Sequence, residues 1–152
     1  MKTSTLRRIL LAEDDPNDVE LTLSALAKRH LANGVDVVKN GAEALDYLFR
    51  RGAFASRPAE CPVVALLDIK MPKVDGLEVL RQIRADPHLR MLPVVMLTSS
   101  HEEGDLIRSY ELGVNAYVIK PVDFDQFVQA VSDLGMFWAL VNEPPPIVSP
   151  QA

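Results

Sequence analysis

The sequence predicts an α/β domain of the doubly wound kind, a five-stranded parallel sheet with five helices on its two faces. Three observations predict it. Five short apolar runs alternate with five longer amphipathic stretches along the chain. Strict alternation of strand-length and helix-length segments builds a parallel sheet through crossover helices. The third run, Val63-Val64-Ala65-Leu66-Leu67, is apolar at every position, as a central strand covered on both faces must be.

Arg8-Ile9-Leu10-Leu11-Ala12 reads as the first strand. Asp15 then caps a helix whose first residue is Pro16, a position where proline loses no hydrogen bond. Val19, Leu23, Leu26 and His30 recur at helical spacing, and Gly34 ends the unit. Val35 to Val38 form a second strand. Ala44, Leu45, Leu48 and Phe49 mark the buried face of a second helix that stops near Gly52. A loop from Ala53 to Pro62, long for such a unit, leads into the third strand. Leu77, Leu80 and Ile83 face the core from the third helix, closed by Asp86-Pro87. Pro93 to Thr98 form the fourth strand. Leu106, Ile107 and Tyr110 mark the fourth helix, which ends at Gly113, and Ala116 to Ile119 form the fifth strand. Asp123 and Gln126 make a capping-box pattern. Phe124, Phe127, Val128, Val131 and Leu134 give the core face of the fifth helix.

At 152 residues the chain suits one domain with a substantial core. Residues 1–6 are expected to be a flexible N-terminus, 7–141 the folded domain and 142–152 a proline-rich arm. The net charge of −5 and pI near 5.2, with Arg7-Arg8 and Arg50-Arg51 only as pairs, argue against nucleic-acid binding, which needs clustered cations. Cys61 is the sole cysteine, so an internal disulfide and a thiolate metal site are excluded. No apolar run reaches bilayer length, and Met1 to Leu11 lack the apolar stretch of a signal peptide. A cytoplasmic protein that avoids membranes is expected.

In sheets of this kind the working residues stand at the carboxyl ends of the strands. Those ends carry Glu13-Asp14-Asp15, Asp68, Thr98-Ser99-Ser100 and Lys120-Pro121. They meet in one crevice if the first and third strands are neighbours. Several carboxylates so close repel one another, and a hard divalent cation relieves that repulsion with oxygen ligands. A metal ion, an ammonium and a hydroxyl together suit transfer of a phosphoryl group onto a carboxylate. Asp15 reads better as a cap than as a ligand, and Asp75-Gly76 as turn chemistry and a helix start.

Ile9-Leu10-Leu11-Ala12-Glu13-Asp14-Asp15-Pro16, Leu67-Asp68-Ile69-Lys70-Met71-Pro72-Lys73-Val74-Asp75-Gly76, Leu97-Thr98-Ser99-Ser100 and Ile119-Lys120-Pro121 resemble the motif set of two-component response-regulator receiver domains. The resemblance runs from about Arg8 to about Leu134. It implies the CheY-like, flavodoxin-like strand order 2-1-3-4-5 and a switch that catalyses only its own phosphorylation and dephosphorylation. Asp68 matches the phosphoacceptor. Asp14 matches the direct ligand of Mg²⁺ (or Mn²⁺), Glu13 its water-mediated partner, and the Lys70 backbone carbonyl a further ligand. Thr98 matches the switch hydroxyl, Lys120 the cation paired with the phosphoryl group, and Tyr117 the switch aromatic. Pro121 is expected to follow a cis bond. A hydrolase that works through an aspartyl-phosphate would want Asp where Lys70 stands. A degenerate receiver serving only as a structural dimer would not need Glu13, Asp14, Asp68, Thr98 and Lys120 intact.

No second domain is expected after the fifth helix, so output must pass through a partner, a dimer or onward transfer to a histidine phosphotransfer protein. Phe137 and Trp138, followed by Pro144, Pro145 and Pro146, read as an interface and a stiff extended arm. Phe137 and Trp138 read equally as the end of the last helix's packing. This tail, the loop before Cys61 and the phrase Ala44-Leu45-Asp46-Tyr47-Leu48-Phe49-Arg50-Arg51-Gly52 resemble the small response regulators paired with bacterial and cyanobacterial phytochromes. That resemblance implies a phytochrome-type sensor histidine kinase as donor and a homodimer built on the fourth helix, fifth strand, fifth helix and tail.

Overall fold

The computed structural model describes residues 8–27, 34–98, 108–120, 125, 126 and 129. Five strands form one sheet: β1 (Ile9–Ala12), β2 (Val35–Val38), β3 (Val64–Asp68), β4 (Val94–Thr98) and β5 (Ala116–Ile119). Every pairing is parallel and the order is β2-β1-β3-β4-β5. The helices between them are α1 (Pro16–Ala27), α2 (Gly41–Phe49) and α3 (Gly76–Ala85). Residues 108–111 and the described residues 125, 126 and 129 are also helical.

Strand alternation splits the core into two layers. Leu10, Ala12, Ala65, Leu67, Val94 and Met96 pack with α2 and α3. Ile9, Leu11, Val64, Leu66, Val95, Leu97 and Val118 face the other way, toward Leu26 of α1. The apolar run of β3 is buried at all five positions, which explains why it carries no polar face in the sequence.

Local chemistry sets the helix starts. Asp15 Oδ1 accepts the Asn17 N–H at 2.8 Å, Asn40 Oδ1 the Glu43 N–H at 2.8 Å, and Asp75 Oδ1 the Glu78 N–H at 2.9 Å, each filling an orphan donor of a first turn. Arg50, with φ 55°, closes α2 in the left-handed region, and Gly113, with φ 88°, does so after helical residues 108–111. The long loop before β3 holds a short 3-10 turn, Gly52–Phe54.

The strands differ slightly from expectation. β3 starts at Val64 and keeps Asp68 as its last residue, because the Ile69 N–H still donates to Leu97 O at 3.2 Å. The extension of the first helix to His30 and the core residues of the fifth helix lie outside the described residues.

Candidate functional site

The sheet register assembles the site. Ala12 pairs with Leu67, so Glu13 and Asp68, one residue further on, stand level on adjacent strands. Thr98 pairs with Ile119, so Lys120 follows directly on the far side. Strand parity then decides direction. Glu13 continues the series Ile9 and Leu11, Asp68 the series Val64 and Leu66, and Lys120 follows Val118. All of these belong to the α1 side of the sheet.

Both Glu13 and Asp68 are buried, and Asp14 is exposed. One carboxylate oxygen from each of Glu13, Asp14 and Asp68 lies within 4.8 Å of the others. Lys120 Nζ is 2.5 Å from Glu13 Oε1, 2.9 Å from Asp18 Oδ2 and 3.3 Å from Asp68 Oδ2. An ammonium has three N–H donors, and here three carboxylates, from the residue after β1, from α1 and from β3, lie around it. The other Glu13 oxygen accepts the Asp15 N–H at 3.1 Å.

The electrostatics show a crevice with excess negative charge. Burial pushes Glu13 up to about 7, against its bonds to Lys120 and Asp15 and with the charge of Asp68 beside it. Burial raises Asp68 too, opposed by the Lys120 charge. Burial alone would depress Lys120, but its bonds to Glu13 and Asp18 outweigh that and raise it, keeping the ammonium charged.

Three clustered carboxylates, one of them open to solvent and two raised by desolvation, fit a hard divalent cation such as Mg²⁺ or Mn²⁺. Such ions take oxygen ligands, and their charge offsets the repulsion between buried acids.

The residues expected in the crevice are thus distributed as follows. Glu13, Asp14, Asp68 and Lys120 come together. Lys70 follows in the exposed bend after β3. Thr98 ends β4 on the same edge of the sheet. Tyr117 lies in β5, one strand face away from Lys120, its ring stacked on Tyr110 with centroids 6.4 Å apart and planes at 13°. Tyr110, one of the residues that marked the fourth helix, is 60% exposed with its ring on that of Tyr117. Ser99, Ser100, Pro121, Phe137, Trp138, Pro144, Pro145 and Pro146 lie outside the described residues. Sequence reasoning missed Asp18. Its signal is weak, a lone acid in a helix's first turn, where acids are common for the helix dipole alone.

A parallel sheet in this order, with an acidic pair, a central-strand aspartate and a lysine at its carboxyl edge, matches the class of two-component receiver domains. Residues 9–132 match the model of the response regulator receiver domain, and the chain belongs to that family. It is similar to the bacteriophytochrome response regulator AtBRR, 62% identical over 92% of this chain and 100% of that one, with a TM-score of 0.84. It also resembles the cyanobacterial phytochrome response regulator RcpA, solved in a phosphorylated form, at 40% identity over 88% of this chain and 94% of that one, TM-score 0.73. Response regulator Rcp1 of Synechocystis sp. is 37% identical over 86% of this chain and 87% of its own length. An Mn²⁺-bound form of Rcp1 matches with a TM-score of 0.73, at 34% identity over 95% of this chain and 99% of that one. No helix among the described residues is long and apolar enough to cross a membrane.

Proposed function

We propose that this chain is a phosphorylation switch in the cytoplasm that receives a phosphoryl group on Asp68 from a phytochrome-type sensor histidine kinase. The observation that carries the reading is the setting of Asp68. It is buried at the end of the central strand, beside Glu13 and 3.3 Å from the Lys120 ammonium. The likeness to AtBRR, RcpA and Rcp1 supports the phytochrome-type donor.

The chemistry is in-line displacement at phosphorus. An Asp68 carboxylate oxygen forms the new P–O bond as the P–N bond to the donor imidazole breaks, and the nitrogen keeps the electron pair. Positioning and charge neutralisation dominate such transfers. Glu13, Asp14 and Asp68, with the Lys70 carbonyl, would hold Mg²⁺, which when bound neutralises charge on the transferring oxygens. Lys120 supplies a fixed positive charge beside Asp68. The Thr98 hydroxyl then bonds the phosphoryl oxygen and Tyr117 follows, which changes the face around β5. Substrate turnover in the ordinary sense is absent from this reading, since the chain acts on itself alone. A homodimer on that face, extended by Phe137, Trp138 and the arm with Pro144, Pro145 and Pro146, carries the output.

The test is intact mass after incubation with Mg²⁺ and acetyl phosphate, and with a phytochrome-type kinase and ATP. One phosphoryl addition that is absent in Asp68→Asn is expected. No addition from either source overturns the reading.

A further inference from the structure

We propose that Asp18 is a positioning residue of the phosphorylation site, holding the Lys120 ammonium over Asp68. The proposal rests on the roles given above to Asp68 and Lys120. Asp18 lies in the first turn of α1, and its Oδ2 accepts from Lys120 Nζ at 2.9 Å across 102 residues of sequence.

The three carboxylates around Lys120 are not equivalent. Glu13 and Asp68 belong to the acidic cluster that could hold a metal, and Asp18 does not. A cation in that cluster competes with the ammonium for Glu13. Asp68 itself changes when it gains a phosphoryl group. Among the described partners of Lys120, Asp18 is therefore the one that belongs neither to that acidic cluster nor to the group that is phosphorylated. Its side chain is 31% exposed, whereas those of Glu13 and Asp68 are 0% and 9% exposed. Its backbone is anchored as well. Asp15 caps the helix, the Val19 N–H donates to Asp15 O at 3.0 Å, and Thr22 and Leu26 are buried beneath.

A lysine has four rotatable bonds, and freezing them is costly. The Lys120 side chain is only 9% exposed, so the ammonium is already desolvated and needs its partners. Fixing it to a rigid helix turn lowers the entropy lost when it must meet a transferring phosphoryl group. A role in the α1 dipole alone would not depend on Lys120, and this difference is measurable.

The experiment is a double-mutant cycle on the full chain. Phosphorylation rates with acetyl phosphate and Mg²⁺ are measured by intact mass for the wild type, Asp18→Asn, Lys120→Ala and the double variant. Mn²⁺ binding to each is measured by calorimetry. We expect Asp18→Asn to bind Mn²⁺ and to slow phosphorylation about threefold to tenfold, the range for one partly screened charge-assisted hydrogen bond. In the Lys120→Ala background the same substitution should have no further effect. A wild-type rate in Asp18→Asn, a full additional loss in the double variant, or loss of Mn²⁺ binding would each overturn the proposal while leaving Asp68 as acceptor. A wild-type chain that takes up no phosphoryl group, or a Lys120→Ala variant as fast as wild type, would instead overturn the roles on which it rests.

Discussion

A side-chain carbon on Gly76 would overlap the carbonyl oxygen of Asp68 and stand 3.0 Å from its carbonyl carbon. The first residue of α3 thus packs directly on the backbone of the central carboxylate. The Gly76 N–H also donates to Ile69 O at 2.8 Å, pinning the bend that follows. We predict that Gly76→Ala displaces Asp68. The overlap should cost about 1–3 kcal/mol of stability, as overpacking does, less a fraction regained from helix propensity. Phosphorylation should slow together with it. Urea unfolding and the acetyl phosphate rate check both, and an unchanged rate would show that Asp68 does not need this packing.

Arg84 joins three segments below the sheet. Its guanidinium donates to the carbonyls of Gly113, Arg90 and Leu92 at 2.9, 3.1 and 2.7 Å, and to Asn115 Oδ1 at 2.8 Å. The same Asn115 oxygen accepts the Val94 N–H at 2.8 Å, so this cluster sets where β4 and β5 begin. An ammonium cannot reproduce a planar fork. Arg84→Lys is predicted to cost about 1–3 kcal/mol, allowing for partial exposure. Equal stability of the Lys variant and wild type in a denaturant melt would mean that charge alone suffices there.

The sheet was readable because its strands are short and mostly apolar, with capped helices after β1, β2 and β3, and polar residues after β1, at the end of β3 and after β5 marked Glu13, Asp14, Asp68 and Lys120. What escaped is long-range and side-chain directed. Asp18 shows its partner only once the fold brings Lys120, the residue after β5, to the first turn of α1. Arg84 binds mostly backbone carbonyls, which no side chain in the sequence advertises. The stacking of Tyr110 on Tyr117 likewise joins a helix to β5 through two rings whose pairing no local spacing shows.

At the other edge, the Tyr47 hydroxyl donates to Asp36 Oδ2 at 2.6 Å. The ring is buried, and the Arg57 guanidinium lies over it at 4.2 Å. Burial and then the bond to Asp36 raise the phenol's pKa, so it remains a donor. Tyr47→Phe keeps the packing and loses the bond. Asp36 retains Arg8 at 2.8 Å, so the loss should be about 1 kcal/mol. Phosphorylation should be unchanged, since this pair ties α2 to β2 on the edge away from Lys120. A slowed phosphorylation rate at unchanged stability would contradict this.

The raised Glu13 gives the metal-free protein a definite pH dependence. Its folded value is about 7 against 4.5 when unexposed to the fold. Between these values the folded state holds a proton that the unfolded state has released. Stability therefore falls as pH rises through this window. Asp68, also raised, acts with the same sign. Lys120, raised from 10.5, loses its contribution only at much higher pH. In EDTA the melting temperature should drop between pH 6 and pH 7.5, and Glu13→Gln should flatten the slope. Mg²⁺ favours the ionised carboxylates and binds the folded state, so it should raise the melting temperature more at pH 7.5 than at pH 6. A metal-free melting temperature that stays level or climbs over this interval would mean that Glu13 is ionised in the folded protein throughout, and that Lys120 alone balances the crevice.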